Sequence, residues 1–178
     1  MILAVDPGMT CGWAVVRPRT GRVVDVGVLE PPLDSAIGRS TDRARRVAAQ
    51  GRELVAAIER HGCKAIAGEQ MLCHGSTRAV VPQVLCWGQL VGIAVARELE
   101  LYEVSAKDWQ HAIAPEADGA IDYELVSKHI AAFVADQVGE QLAAIAPSKR
   151  THVYDAIGVG LYAALARPIR IIGARATA

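Results

Sequence analysis

A short apolar strand that ends in an acidic turn constrains the fold of this chain more than any other feature. Residues 2–5 form a continuous apolar run, which is typical of a central strand buried on both faces of a sheet. An Asp-Pro-Gly turn follows, so the run predicts a buried strand with Asp6 at its carboxyl end. Residues 12–16 and 22–29 then predict two further strands in an antiparallel meander.

A helix and a second buried strand come next. Residues 43–60 repeat apolar or small side chains at helical spacing, and residues 65–67 form a short apolar run that leads to Glu69. A helix between two strands of one sheet normally returns the second strand parallel to the first. We therefore expect Asp6 and Glu69 to lie side by side, at the carboxyl ends of neighbouring strands.

The remaining pattern predicts one mixed α/β domain over residues 1–178. Apolar residues make up 52% of the chain and aromatic residues only 4%, so the core must be mainly aliphatic, which suits strands covered by helices. We predict a mixed five-stranded sheet, three antiparallel strands followed by parallel ones, and a basic tail at about 167–178. The further predicted elements are a strand at 101–104 and helices at 80–98, 107–113, 122–138 and 148–166.

Four side chains are candidate metal ligands. Asp6 and Glu69 at adjacent strand ends would repel each other, and Mg²⁺ or Mn²⁺ would compensate both charges with oxygen ligands. His152 and Asp155 are three residues apart, so they point from the same face of the last helix. For that segment alone, a capped helix start with a satisfied histidine is the alternative interpretation.

The charge of the chain does not indicate binding of nucleic acid through bulk attraction. There are 19 basic and 19 acidic residues, so the formal net charge is zero. Basic side chains are nevertheless clustered, and we predict that some of them contact DNA phosphates, although solvated surface is the alternative for each cluster. The predicted phosphate contacts are Arg39, Arg43, Arg46, Lys149 and Arg150.

Other features exclude several protein classes. No apolar run approaches the roughly 18 residues that span a bilayer, and Met1 leads directly into the first strand, so we expect a soluble cytoplasmic protein without a membrane partner. The cysteines show no CxxC spacing, which argues against a zinc ribbon and favours reduced structural thiols. We expect the three tryptophans, Trp13, Trp87 and Trp109, to be packed in the interior rather than stacked on bases.

The ordered motifs resemble those of the RuvC-type Holliday-junction resolvases, a family with a ribonuclease H-like fold. Residues 2–8 followed by Gly12 look like the opening of that family, residues 66–70 like its second acidic strand, and residues 152–156 like its closing helix motif. The resemblance covers about residues 1–166. The opening motif is weakly specific by itself, whereas the ordered set is strongly specific.

The resemblance implies a homodimer that binds a four-way DNA junction and nicks two strands of like polarity symmetrically. It implies two Mg²⁺ or Mn²⁺ ions per active site, with Asp6 bridging both and Glu69 and Asp155 holding one each. His152 would either ligate a metal or shuttle a proton. Many relatives have an acid in its place, and imidazole suits Mn²⁺ better than Mg²⁺, so we expect higher activity in Mn²⁺. A branch-migration helicase is a candidate partner.

Further site residues follow from the same resemblance. Residues 104–109 look like the phage-type branch of the family, and Lys107 matches in position a lysine that these enzymes use near the scissile phosphate. Cellular resolvases carry an aromatic side chain in the loop after the second acid, where it enters the junction centre. The candidates for that position here are Met71, Leu72 and His74.

Three other functions compete with junction resolution. A nuclease of the RuvX (YqgF) type would share the fold and act on RNA precursors, but it normally has a shorter chain and a different closing motif. A catalytically idle nucleic-acid-binding module is possible in principle, and four candidate ligands argue against it. The turn after Asp6 also looks like a phosphate loop of the actin and sugar-kinase superfamily, but those proteins need two such domains, and the chain has no Walker motif.

Overall fold

The computed structural model describes residues 1–71, 77–114, 121–166 and 169–172. Within these ranges the chain forms six β-strands and five α-helices, with a 3₁₀ turn at Pro147–Lys149 before the last helix. The elements are β1 (Ile2–Asp6), β2 (Cys11–Val16), β3 (Val23–Leu29), α1 (Arg39–His61), β4 (Ala65–Glu69), α2 (Thr77–Ala96), β5 (Glu100–Val104), α3 (Ala106–Ile113), α4 (Tyr123–Ala144), α5 (Arg150–Leu165) and β6 (Ile169–Ile172).

The strands form one mixed sheet in the order β3-β2-β1-β4-β5-β6. β1 pairs antiparallel with β2 and parallel with β4, and β4 pairs parallel with β5. The predicted fold class, an antiparallel meander joined to parallel strands and flanked by helices, is confirmed. The crossover through α1 therefore returns β4 parallel to β1, as the sequence predicted.

The sixth strand was not expected from the sequence. β6 pairs antiparallel with β5 within the segment that was predicted to be a basic tail, and Arg170 forms an ion pair with Glu100 at 3.3 Å. β6 pairs with the outer edge of β5, which would otherwise have unpaired backbone N–H and C=O groups. The remaining residues of the predicted tail, 167–168 and 173–178, lie outside the described residues.

Helix boundaries differ from the predicted ones for local reasons. α1 begins at Arg39 instead of residue 43, because its first turn contains the buried Asp42, which accepts hydrogen bonds from Arg45 and from the backbone N–H of Asp34. α4 continues to Ala144 through a distortion at Val138, so it is longer than predicted. Pro82 lies inside α2 and not in its first turn.

α5 packs very closely on β1 and β2, and this contact determines where the start of α5 lies. A Cβ at Gly12 would lie 1.9 Å from the carbonyl oxygen of His152, and a Cβ at Gly160 would lie 2.5 Å from Val16. Both positions therefore require glycine. The aliphatic core between the sheet and α3, α4 and α5 is thus thin enough to bring the first turn of α5 to the end of β1.

Two further sequence expectations concern cysteines and membranes. Cys11, Cys63 and Cys86 are buried free thiols, as expected, whereas Cys73 lies outside the described residues. Burial and the nearby Asp6 raise the pKa of the Cys86 thiol to about 11, so it stays protonated at neutral pH. In the described part of the chain, no helix has the length and apolar character needed to cross a bilayer.

Candidate active site

Asp6 and Glu69 end two neighbouring parallel strands at the same edge of the sheet. The register pairs Val5 with Gly68, so the two acids occupy adjacent positions one residue further along. They line a cavity of about 40 Å³, which has room for a water-sized occupant. The other residues lining this cavity are Pro7, Gln70, Met71, Gln83 and Trp87. The carboxyl end of such strands is where α/β sheets usually bind ligands.

His152 contacts Asp6 directly from the first turn of α5. Its ring Nδ1 lies 2.7 Å from Oδ2 of Asp6, and the two side chains are 39% and 16% exposed. This hydrogen bond raises the pKa of His152, against the effect of partial burial, and the negative charges of Asp6, Asp155 and Glu30 raise it further. The imidazole therefore favours its protonated form beside Asp6.

Asp155 lies one turn after His152 on the same helix, and the charges of Asp6 and Glu69 affect the pKa of its carboxyl group. Burial raises the pKa of Asp155 to about 7, with further contributions from the negative charges of Asp6 and Glu69, while His152 opposes the shift. Burial also raises the pKa of Glu69, with a smaller contribution from Asp6. The three carboxyl groups thus share a region with an excess of negative charge.

Two tryptophans hold Glu69 from opposite sides of the sheet. Trp87 of α2 donates its indole N–H to the backbone carbonyl of Glu69 at 2.8 Å, and Trp109 of α3 donates to Oε1 of Glu69 at 3.0 Å. Both rings are buried, as the sequence predicted, but these hydrogen bonds were missed. A signal was available, because a buried indole N–H needs an acceptor, and α3 begins directly after β5 at the same edge as Glu69.

Gln50 is another residue that sequence reasoning missed. Its buried amide nitrogen donates to the carbonyl oxygens of Gly8 at 3.1 Å, Met9 at 3.0 Å and Leu29 at 3.3 Å. A single side chain on α1 therefore fixes the turn that follows Asp6. The polar residue at an inward position of α1 was the available signal, since a fully buried amide requires several partners.

The donor set fits a hard divalent cation in its chemistry. Asp6, Glu69 and Asp155 offer carboxylate oxygens, and the pKa values of Glu69 and Asp155 are raised mainly by burial and further by the neighbouring acids, both of which a bound cation would offset. As the side chains lie, no three acidic, histidine or cysteine groups among the described residues converge on one metal position. The contact with His152 occupies Oδ2 of Asp6, so a cation bound at that oxygen would displace it.

Three of the predicted basic residues make contacts within the protein. The Lys149 ammonium pairs with Glu30, and the Arg46 guanidinium donates to the carbonyl oxygens of Pro31 at 2.7 Å and Met9 at 3.4 Å. Arg150 donates to the carbonyl oxygens of Ile145 at 2.9 Å and Ala143 at 3.2 Å, at the end of α4. Lys149 is still partly exposed, whereas Arg46 and Arg150 support loops next to the site.

Of the other predicted site residues, only Met71 lines the cavity beside the acids, among the residues that the structure describes. Lys107 is exposed in the first turn of α3, just after β5, and Met71 lines the cavity beside Asp6 and Glu69. Arg39 and Arg43 lie at the start of α1, exposed and half-buried respectively. Leu72 and His74 lie outside the described residues.

No protein-family model matches the chain, and no curated protein sequence matches it. Several solved structures do match the chain. Thermus thermophilus RuvC superposes with a TM-score of 0.70 at 18% identity, over 96% of this chain and 99% of that one. The same protein in complex with a Holliday-junction substrate gives 0.68 at 18% identity, over 94% and 98%. The Fowlpox virus resolvase, in complex with Holliday-junction DNA, gives 0.56 at 8% identity, over 92% and 98%. The chain thus has the ribonuclease H-like fold of RuvC, as its motifs predicted.

Proposed function

We propose that this protein is a metal-dependent endonuclease that resolves four-way DNA junctions. The observation that carries the proposal is that Asp6 and Glu69 end neighbouring strands, with Asp155 close enough for its pKa to respond to both, in a fold shared with solved junction resolvases. Two of the similar structures were determined with Holliday-junction DNA. We take residues 1–178 to be one nuclease domain.

Asp6, Glu69, His152 and Asp155 are the proposed ligands of the divalent cations, Mg²⁺ or Mn²⁺, and a proton shuttle is the alternative role of His152. When bound, two such ions supply an activated water and stabilise the leaving 3′ oxygen. Within the chain, Trp109 and Trp87 orient Glu69 through their indole N–H groups. His152 holds a proton against Asp6 at Nδ1, so it can deliver or accept a proton at this carboxylate.

The proposed DNA contacts surround the sheet edge. Lys107 would approach the scissile phosphate from the first turn of α3, while Arg39 and Arg43 would contact phosphates from the start of α1. Lys149 would leave its ion pair with Glu30 to bind a phosphate. Arg46 and Arg150 stay hydrogen-bonded to backbone carbonyls and would attract the DNA at longer range. Met71, Leu72 and His74 are the proposed contacts at the junction centre. Such contacts make binding weaken as salt rises.

Symmetric nicking of a junction needs two active sites, and an exposed stripe on α2 is the proposed dimer contact. Val84, Val91 and Val95 are 47%, 38% and 62% exposed. Gly88 and Gly92 lie between them, and a Cβ at either would meet no atom within 4 Å. The spacing of four, three and four residues from Val84 through Gly88 and Val91 to Val95 is that of a helix-pairing seam. A second copy of α2 would cover this stripe.

A panel of labelled nucleic acids tests the proposal. Four-way junction, linear duplex, single-stranded DNA and structured RNA are incubated with the wild type and with Asp6→Asn, in Mg²⁺ and separately in Mn²⁺. The proposal predicts cleavage of the junction alone, lost in the variant. Cleavage of RNA would favour the RuvX-type activity, and tight junction binding without cleavage would favour an idle binding module.

A further inference from the structure

Trp109 joins two of the three elements that carry the proposed metal ligands, β4 and α5. Its ring is fully buried, and its indole N–H donates to Oε1 of Glu69 at the end of β4. The same ring lies against α5, where a Cβ at Gly158 would come within 2.3 Å of it. Gly158 is three residues after Asp155, so it is on the same side of α5. The indole therefore fills the space between Glu69 and the helix that carries Asp155.

The position of Trp109 is itself fixed by short-range contacts. β5 pairs in parallel with β4, with Val104 opposite Glu69, and α3 begins two residues later. The backbone N–H of Trp109 donates to the carbonyl oxygen of Ser105 at 3.2 Å. Strand pairing and the first turn of α3 thus set the position of the indole ring along the strand direction, relative to Glu69. The ring is shielded from solvent, and it also lines the apolar cavity between α3, α4 and α5.

An indole N–H can donate but not accept, so its hydrogen bond constrains Glu69 in a specific way. It holds Oε1 toward α3 and leaves Oε2 of the carboxylate for another partner. Groups that orient a ligating carboxylate typically contribute on the order of 10-fold to 100-fold in metal affinity or activity.

We propose that Trp109 is a positioning residue, which orients the Glu69 carboxylate and spaces it from Asp155 for divalent-cation binding. The inference rests on the proposed function for the identity of the ligand, a divalent cation. It assigns Trp109 no contact with the substrate. The ring is required for the spacing, and the N–H is required for the orientation.

Trp109→Phe keeps an aromatic ring and removes the N–H, which separates these two contributions. We expect Mn²⁺ binding, measured by titration calorimetry without DNA, to weaken on the order of 10-fold. If junction cleavage is observed, kcat at fixed Mn²⁺ should fall while the KM for the junction stays within about two-fold. Trp13→Phe is the matched control, since Trp13 packs on Gly27 at the other side of the sheet and should leave both values unchanged.

A double-variant comparison establishes whether Trp109 acts through Glu69. In a Glu69→Ala background the carboxylate is absent, so Trp109→Phe should cause no further loss of Mn²⁺ affinity. An additional loss equal to that in the wild type would overturn the proposal. So would Mn²⁺ affinity in Trp109→Phe equal to that of the wild type.

A measurement on the unmodified protein covers the case in which Trp109→Phe does not fold. The indole N–H resonance of Trp109 is assigned by elimination with Trp13→Phe and Trp87→Phe, and followed by NMR as Mg²⁺ is added. We expect this resonance to shift saturably, whereas an unchanged resonance at saturating Mg²⁺ would overturn the proposal. Because these readouts need no DNA, an inactive protein that shows the coupling would contradict the proposed function and leave this inference intact.

Discussion

The imidazole Nδ1 of His152 lies 2.7 Å from Oδ2 of Asp6, which joins the first turn of α5 to the end of β1. This contact connects the two ends of the described fold, because β1 begins the chain and α5 is its last helix. In the proposed metal site, this imidazole would either share a cation with Asp6 or rotate away from it.

The first prediction concerns the choice of metal. With His152 beside Asp6, we expect faster cleavage in Mn²⁺ than in Mg²⁺ at matched saturation, because imidazole nitrogen is a poor ligand for Mg²⁺. His152→Asp should move the preference toward Mg²⁺. Cleavage rates of a labelled junction across a titration of each metal provide the test. Equal or greater activity of the wild type in Mg²⁺ would exclude His152 as a direct ligand.

The second prediction concerns pH and stability in the metal-free protein. The pKa of Asp155 is raised from 3.8 to about 7, so between these pH values the folded state holds a proton that the unfolded state has lost. The free energy of unfolding therefore falls as pH rises from about 4 to about 7. Asp155→Asn removes this loss, and we expect it to stabilise the protein at pH 8 by on the order of 2 kcal/mol, after allowance for partial exposure.

Urea unfolding in EDTA at pH 4.5 and pH 8 measures this effect. The difference between Asp155→Asn and the wild type should be small at the lower pH and favour the variant at the higher one. Asp136→Asn, at an exposed position on α4, is the control and should change little at either pH. A variant that is no more stable than the wild type at pH 8 would show that Asp155 carries no such charge penalty.

The third prediction concerns Gln50. Its amide nitrogen is the donor to three carbonyl oxygens near Asp6, so Gln50→Leu leaves buried acceptors without that donor. We expect a destabilisation of about 2–3 kcal/mol in urea unfolding. Gln141→Leu, which removes one exposed hydrogen bond to Asp25 on the surface of α4, should cost less than about 1 kcal/mol. Similar costs for the two variants would mean that Gln50 does not hold the turn.

The fourth prediction concerns the α2 stripe. Val91→Glu places a charge in the proposed seam between two copies, so we expect a monomer in sedimentation velocity where the wild type is a dimer. Its junction products should be single nicks instead of paired ones. Ala135→Glu, an exposed position on α4, serves as the matched control and should remain dimeric. A dimeric Val91→Glu would show that the copies associate through another surface.

The sequence predicted the sheet edge well because two simple rules apply there. A short continuous apolar run is typical of a buried strand, and a crossover helix normally returns the chain parallel, so the pattern predicts the adjacency of Asp6 and Glu69. The fold class followed from the same rules. Which acids bind metal stays a prediction, since it depends on side-chain geometry that a pattern does not contain.

The contacts that the sequence did not predict are those between residues far apart in the chain. A buried indole at Trp109 needs an acceptor, but the spacing alone does not identify it as the Glu69 carboxylate, because this depends on the register of β5 on β4. Arg170 was interpreted as part of a charged tail because its pairing with Glu100 exists only after β6 has formed. Likewise, the pairing of Lys149 with Glu30 depends on how α5 packs against β2 and β3.

The most direct test of junction resolution is the position of the nicks on a four-way junction, mapped at single-nucleotide resolution with each strand labelled in turn. In Mn²⁺, the wild type should make two nicks at symmetric positions on strands of like polarity, and ligase should seal the products, whereas Asp6→Asn should make none. Nicks at unrelated positions, or equal cleavage of a linear duplex of the same sequence, would contradict the proposed function.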